Sequence, residues 1–206
     1  MNLFKFSLFL GYNVNCREGL SLIWDEMVFC AIDTETTGID PLKGDRIIEI
    51  AIVPVFRGRI ILEKAFHSLV NPRVGIPALV QKVHGISNSE VMEAPPMEEI
   101  FPILRNFIRG TILVLHNAHF DLTFLDFAAK DIGEFPLTVS FIDTQDMTKV
   151  IFGRGHTLKW LAKRFGIKDE ITHRALDDAI VTAKVFIKLS KIIGYNNVEE
   201  FIRRWG

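Results

Sequence analysis

The run Val28-Phe-Cys-Ala-Ile32 is short and wholly apolar, and it stops at Asp33-Thr-Glu35-Thr-Thr-Gly38. Such a stretch reads as one buried strand closed by a turn, and residues i and i+2 of a strand share a face. Asp33 and Glu35 therefore stand side by side where a buried strand meets solvent. Two ionised carboxylates held that close repel each other, and a divalent cation between them is the usual remedy. A lone Asp-x-Glu also suits an ordinary solvated turn, so the reading depends on what else the chain brings to that place.

Two more acids have comparable settings. Asp121 follows the apolar stretch Thr111-Ile-Leu-Val-Leu115 and the loop His116-Asn-Ala-His-Phe120, at the start of a helical segment reaching about Lys130. Asp178 lies in Thr172-His-Arg-Ala-Leu-Asp-Asp-Ala179 and opens an apolar-periodic segment that runs to about Ile193. Either alone suits the first turn of a helix. Elsewhere, Ile47 to Val55 and Arg59 to Leu69 are apolar, β-branched runs separated by the hairpin signal Phe56-Arg-Gly58, which with the first strand make a three-strand meander. Beyond the Asn71-Pro72 and Pro95-Pro96 breaks, helical periodicity covers Met97 to Ile108, after which strands alternate with helices.

Taken in this order, the acidic segments resemble the motifs of the DEDD 3′–5′ exonucleases in their histidine-containing branch, a family that includes the proofreading epsilon subunit of bacterial DNA polymerase III. The first motif is matched by Asp33-Thr-Glu35-Thr-Thr-Gly38, the second by His116-Asn-Ala-His-Phe-Asp121 and the third by His173-Arg-Ala-Leu-Asp-Asp178. Asp45-Arg-Ile-Ile-Glu-Ile50 resembles the family's second strand, Val83-His-Gly-Ile86 its nucleotide-pocket segment, and Phe141-Ile-Asp-Thr144 the end of its fifth strand. The resemblance implies an α/β, ribonuclease-H-like fold with a five-stranded mixed sheet flanked by helices. It suggests an exonuclease domain over 27–194, an N-terminal extension of uncertain role at 1–26 and a C-terminal helical segment at 195–206.

The same resemblance implies that Asp33, Glu35, Asp121 and Asp178 hold two divalent metal ions, Mg²⁺ or Mn²⁺. Two ions about 3.5–4 Å apart activate a water on one side of a phosphodiester and stabilise the leaving 3′ oxygen on the other. Asp33 would bridge them, Glu35 and Asp178 would complete the site of the attacking water, and Asp121 would assist at the leaving-group ion. His173 would be the general base. Five positions are about 140° around a helix, so His173 and Asp178 would not share a helical face, whereas a loop histidine before a first-turn aspartate reconciles them. An imidazole in that loop can swing toward the attacking water and accept its proton.

The expected substrate contacts are Thr36, Thr37, Gly38, Val83, His84, His116, Asn117 and Phe120. Thr36, Thr37 and Gly38 fit ordinary turn chemistry, and equally fit hydroxyls and close backbone presented to a terminal nucleotide. Val83 and His84 resemble the family segment that contacts the terminal base and sugar, His116 and Asn117 would line the pocket wall, and Phe120 would offer a stacking face. Phe120, Phe124 and Phe127 recur at i, i+4 and i+7, which also describes a core stripe. Lys159, Lys163 and Arg164, with Arg154 upstream, form a basic edge that suits a solvated helix face as well as a weak guide for a strand.

Lys and Arg total 24 against 25 acids, a formal net charge of −1, so the chain is no general polycation and any nucleic-acid contact must be local. Its 206 residues, 49% hydrophobic, suffice for a substantial single core. Cys16 and Cys30 do not make a disulfide framework, and a reducing cytoplasm is the default. The run Met1 to Leu10 carries one positive charge, but Gly11-Tyr-Asn-Val-Asn15 breaks it and no small-x-small cleavage site follows. It is too short to span a bilayer, so neither export nor a membrane is expected.

The expected activity is a metal-dependent 3′–5′ exonuclease releasing nucleoside 5′-monophosphates from single-stranded or frayed DNA 3′ ends, in replication proofreading or repair. Partnership with a polymerase or repair complex would lack the long C-terminal tether of the epsilon subunit. The alternatives are a 3′–5′ exoribonuclease trimming RNA 3′ ends and a catalytically silent nucleic-acid-binding module. Loss of a metal ligand would mark the silent module, and none is missing.

Overall fold

A computed structural model describes residues 22–168 and 171–206, with the side chains of Leu22 and Ile23 left aside. In chain order the strands are β1 (Val28–Thr36), β2 (Ile47–Phe56), β3 (Arg59–Ile60), β4 (Phe66–Leu69), β5 (Ile112–Leu115), β6 (Val139–Asp143) and β7 (Arg203–Trp205). The helices are α1 (Leu22–Glu26), α2 (Ala78–His84), α3 (Asn88–Met92), α4 (Met97–Ile108), α5 (Ala118–Asp131), α6 (Thr144–Phe152), α7 (Leu158–Arg164) and α8 (Ala175–Ile193).

β1 pairs antiparallel with β2 along its whole length and parallel with β5, which in turn pairs parallel with β6. All ten residues of β2 are buried, as a strand with neighbours on both edges and helices on both faces requires. Successive side chains of β1 point to opposite faces. Val28, Cys30 and Ile32 pack with Leu104 of α4 and Leu122 and Leu125 of α5, while Phe29 and Ala31 pack with Phe186 and Leu189 of α8. The parallel strands β1, β5 and β6 end at the same side of the sheet, which is where the acidic segments lie.

The result is the expected ribonuclease-H-like mixed sheet between helical layers, with seven strands among the described residues against the five expected. One extra comes from the expected third strand, which divides into β3 and β4 around a 3₁₀ turn at Leu62–Lys64. Pro54 explains the break. Its carbonyl accepts from Ile61 N at 2.9 Å on that edge, but it has no N–H to continue the ladder there. The other is β7, which pairs antiparallel with β6. Residues 195–206 are thus not helical throughout as expected: a 3₁₀ helix covers Tyr195–Phe201 and the chain then becomes a strand. Trp205 fixes it in place, its Nε1–H donating to Asp126 Oδ2 at 2.7 Å.

The expected boundaries of the exonuclease domain also fall inside packed structure. Trp24 is buried, stacks on Tyr195 with ring centroids 4.4 Å apart, and lies against Phe29 and Phe186. Residues on both sides of 27–194 therefore share the core. The rest of the expected N-terminal extension, with Cys16 and the run Met1 to Leu10, lies outside the described residues. Cys30 is a buried free thiol, and burial pushes its pKa up to about 12. Among the described residues no helix is long and apolar enough to cross a membrane.

Candidate active site

Within β1 only Asp33 and Glu35 escape full burial. Their parity places them on the α8 face, in line with Phe29 and Ala31. Glu35 stands opposite Glu49 of β2, and the register then slips, Thr36 pairing with Ile47 so that Ile48 is passed over. A bulge of this kind bends the strand end and re-aims its side chains. Asp178 comes from the first turn of α8, on the same face. Asp121 arrives from the opposite face in the first turn of α5 and reaches around β1, where its Oδ1 accepts from Thr34 N at 3.0 Å and Thr34 Oγ1 at 2.7 Å.

The four acids feel one another strongly. Burial, then the charges of Asp121, Glu35, Asp178 and Glu49, hold Asp33 well above the usual carboxylate range. Burial and the Asp178 charge push Glu35 up to about 8. Burial takes Asp121 to about 7 against the pull of the Thr34 hydrogen bonds, and Asp178 to about 6 against the attraction of His173. One ligand atom each from Glu35, His173 and Asp178 falls within 4.8 Å of the others. Asp178 Oδ1 is buried with no hydrogen-bond partner among the described residues. An orphaned carboxylate oxygen beside two further donors fits a cation, and a set dominated by hard oxygens suits Mg²⁺ or Mn²⁺.

His173 lies in the loop before α8, exposed, with a left-handed backbone at φ 54°. The loop bearing His116 and Asn117 is held by Asp143 at the end of β6, whose carboxylate accepts from Asn117 N at 3.1 Å, Ala118 N at 2.9 Å and Gln145 N at 2.8 Å. One side chain thereby caps α5 and α6 together. This explains why α5 begins at Ala118 although Asn117 makes no cap of its own.

The expected substrate contacts divide into two groups. Thr36 Oγ1 donates to Gly38 O, and Thr37 Oγ1 accepts from Arg46 N at 3.0 Å while donating to Asp45 Oδ1 at 3.2 Å, so both hydroxyls serve the turn. Gly38 belongs to the same turn, because a Cβ there would meet the Asp45 carboxylate at 2.3 Å. Asn117 takes φ 72°, the left-handed conformation asparagine tolerates, and Phe120 packs on Phe124 with centroids 4.9 Å apart. The two histidines differ. His84 Nδ1 accepts from Ile86 N at 3.0 Å, so its Nε2 carries the proton, yet that nitrogen is buried with no partner among the described residues. Thr144 Oγ1 donates to Leu115 O at 3.0 Å and lies 2.8 Å from His116 Nδ1, while the His156 backbone carbonyl acts on the His116 ring as an acceptor. Burial lowers the pKa of both rings. Val83 on α2 is 55% exposed, an apolar face open to a ligand.

Thr34, Asp143, Arg174 and above all Glu49 lie inside the matched segments without a role read for them, and His67 lies outside those segments. A glutamate inside the apolar run Ile47 to Phe56 was the available signal, since a buried strand does not carry a carboxylate without partners.

Residues 30–186 match the family model described as Exonuclease. The chain is 41% identical over 170 residues to the DNA polymerase III subunit epsilon-like protein of Rhodobacter capsulatus, a match covering 80% of this chain and 24% of that protein. It is 38% identical over 168 residues to the DNA polymerase III subunit epsilon of Treponema pallidum, covering 80% of this chain and 77% of that one. Among solved structures, Exonuclease X in complex with 5′ overhanging duplex DNA aligns with a TM-score of 0.64 at 26% identity, over 81% of this chain and 93% of that one. The chain spans only 24%, 12% and 17% of the first three curated relatives it matches.

Proposed function

Since the chain belongs to the exonuclease family, we propose that it is a metal-dependent 3′–5′ exonuclease acting on DNA 3′ ends, in replication proofreading or repair. The observation that carries this reading is the gathering of Asp33, Glu35, Asp121 and Asp178 at one strand end, with Asp178 Oδ1 left unpartnered beside Glu35 and His173. Two divalent ions, Mg²⁺ or Mn²⁺, held by these acids would supply the activation of water and the stabilisation of the leaving 3′ oxygen.

The chain's own groups do the rest. His173 takes the proton of the attacking water, its exposed position letting it hand that proton to solvent between turnovers. The His84 Nε2–H donor, buried and unpartnered among the described residues, binds an oxygen of the terminal nucleotide, and Val83 lies under its base. His116 lines the pocket wall, with Asn117 and Phe120 beside it. Thr36, Thr37 and Gly38 act through the shape of their turn and its backbone, because both hydroxyls are already engaged. Single-stranded or frayed ends suit such a site, which takes one terminal nucleotide at a time. Association with a polymerase or repair complex in the cytoplasm is part of the same reading.

Polarity and substrate are tested together with DNA and RNA oligonucleotides blocked at either end, in Mg²⁺, Mn²⁺ or chelator. The expected outcome is release of nucleoside 5′-monophosphates from DNA with a free 3′ end, abolished by a 3′ block or by chelator and indifferent to a 5′ block. Degradation that persists on 3′-blocked DNA and stops on 5′-blocked DNA would overturn the assignment. Faster turnover of RNA would move it to an RNA 3′ trimmer.

A further inference from the structure

Glu49 is a wholly buried carboxylate, 0% exposed, for which the proposed reaction has no use. It stands opposite Glu35 in the β1–β2 ladder, so the two side chains enter the same face of the sheet. There it is surrounded by donors. Arg174 Nε lies 3.1 Å from each carboxylate oxygen, and a terminal guanidinium nitrogen lies 2.7 Å from Oε1. Ala175 N donates to Oε2 at 2.9 Å, and His67 Nε2, 2.7 Å from Oε1, adds a further bond from β4. Burial alone would raise the pKa of Glu49, but these bonds outweigh it and hold the group at about 2.

The place of these partners in the chain gives the cluster its meaning. Ala175 is the first residue of α8 and Arg174 is its N-cap, yet Arg174 makes no capping bond of its own. Glu49, 126 positions earlier in the chain, accepts the Ala175 N–H and so caps the helix from another strand. His173 comes immediately before, at φ 54°, a conformation that a non-glycine residue keeps only where its surroundings over-determine it. The hydrogen bond from Thr172 Oγ1 to Asp177 Oδ2, 2.6 Å, steadies the preceding residue. Arg174 also lies near enough to lower the Glu35 pKa, so a guanidinium released from Glu49 would find another acid close by.

We propose that Glu49 is a positioning residue: by clamping Arg174 and Ala175 it sets the entry to α8, and with it the place of the His173 imidazole against Glu35 and Asp178. This rests on the exonuclease reading of the site. The clamp has a second consequence, which is to keep the Arg174 charge occupied and away from the acids that take the metal.

Glu49→Gln retains the side-chain shape and an acceptor for Ala175 but removes the charge that holds Arg174. In single-turnover hydrolysis of 5′-labelled single-stranded DNA at saturating Mn²⁺, this variant is expected to lose about 10–100-fold in rate, the scale for groups that orient the residues around a metal. Half-saturating DNA should stay within about two-fold of the parent, since the lost interaction orients chemistry rather than binding. Glu49→Gln combined with Arg174→Gln should recover part of the rate, because the released guanidinium is gone. A purely structural role predicts a double variant no faster than the single one, and that result would overturn the proposal, as would a folded Glu49→Gln enzyme with the parent rate. If Glu49→Gln does not fold, Arg174→Lys, which keeps a cation but not the two-oxygen contact, is expected to show the same fall, and a parent-like rate overturns the proposal. An NMR arm without DNA separates this from the exonuclease reading. The His173 ring resonances should move in folded Glu49→Gln protein even if the parent degrades no nucleic acid, and unchanged resonances would sink the positioning role by themselves.

Discussion

Glu35 and Glu49 face each other across one pair of strands, and their fates are opposite. Glu49 collects Arg174, Ala175 N and His67 and is held at about 2, whereas Glu35, with Asp178 as its largest acidic influence after burial, is pushed up to about 8. Burial acts on both. The difference lies in the supply of donors, so the two carboxylates separate an acid satisfied by partners from one left mainly among other acids, as the proposed cation site requires. The same contrast holds within α8, where the Glu49 cap secures the first residue while Asp178, three residues on, keeps an oxygen without a partner.

The sharpest way to break this comparison is to neutralise the unpartnered side. Asp33→Asn or Asp178→Asn should abolish nearly all metal-dependent turnover while the protein remains folded, because each removes charge from the cation site and relieves repulsion in its absence. Near-parent hydrolysis by either folded variant, measured in Mg²⁺ and Mn²⁺, would remove the site from the acids. His173→Ala should lower the chemical step by about 10²–10⁴-fold, the scale of a positioned general base, with little change in metal affinity. Single-turnover rates and Mn²⁺ calorimetry on the same protein check both halves of that statement.

A smaller effect sharpens the contrast further. Glu49→Gln should destabilise the fold by about 1–3 kcal/mol, the range for leaving a buried partner unsatisfied, with Arg174 still 36% exposed and able to find water. Glu35→Gln should instead stabilise the metal-free protein at pH 8, since it removes a half-buried charge whose acidic neighbours outweigh the pull of Arg174. Urea unfolding of the two variants beside the parent reads the signs directly, and shifts of the same sign would erase the distinction.

Much of this was legible in the chain, for identifiable reasons. Asp33 and Glu35 stand out because they interrupt an apolar strand, and the helix expected at Met97 to Ile108 has those bounds because its apolar spacing and flanking proline are local signals. The break between β3 and β4 was not legible, because Pro54 acts across the ladder on a neighbouring strand. β7 escaped for a related reason: Arg203–Trp205 pairs with β6, and nothing in its own sequence announces the partner. Glu49 sat in plain view inside β2, but its meaning depends on Arg174, 125 positions away. Local periodicity reveals elements and orphaned acids, whereas partnered acids become visible only once distant segments meet.

Burial and repulsion raise Glu35, Asp121 and Asp178, and the proposed divalent cation would relieve both. Their folded pKa values, about 8, 7 and 6, lie above the ~4 of an unfolded carboxylate. These carboxylates bind more protons in the folded than in the unfolded state between these limits, so their contribution to stability falls as pH rises through them, whereas the lowered His84 and His116 act with the opposite sign near and below the ordinary histidine range. Glu49, held at about 2, acts with the opposite sign and only in acid, its contribution being lost as pH falls below ~4 toward that value. The deciding measurement is the thermal midpoint across about pH 7–8.5, a window above the ordinary histidine range in which the raised Glu35 and Asp121 titrate, with chelator and with saturating Mn²⁺. The midpoint in chelator should fall with rising pH, and Mn²⁺ should restore it by an amount that grows with pH as protons cease to compete for the same oxygens. A metal-free midpoint that stays level or rises across this window, with no gain from Mn²⁺, would contradict the account.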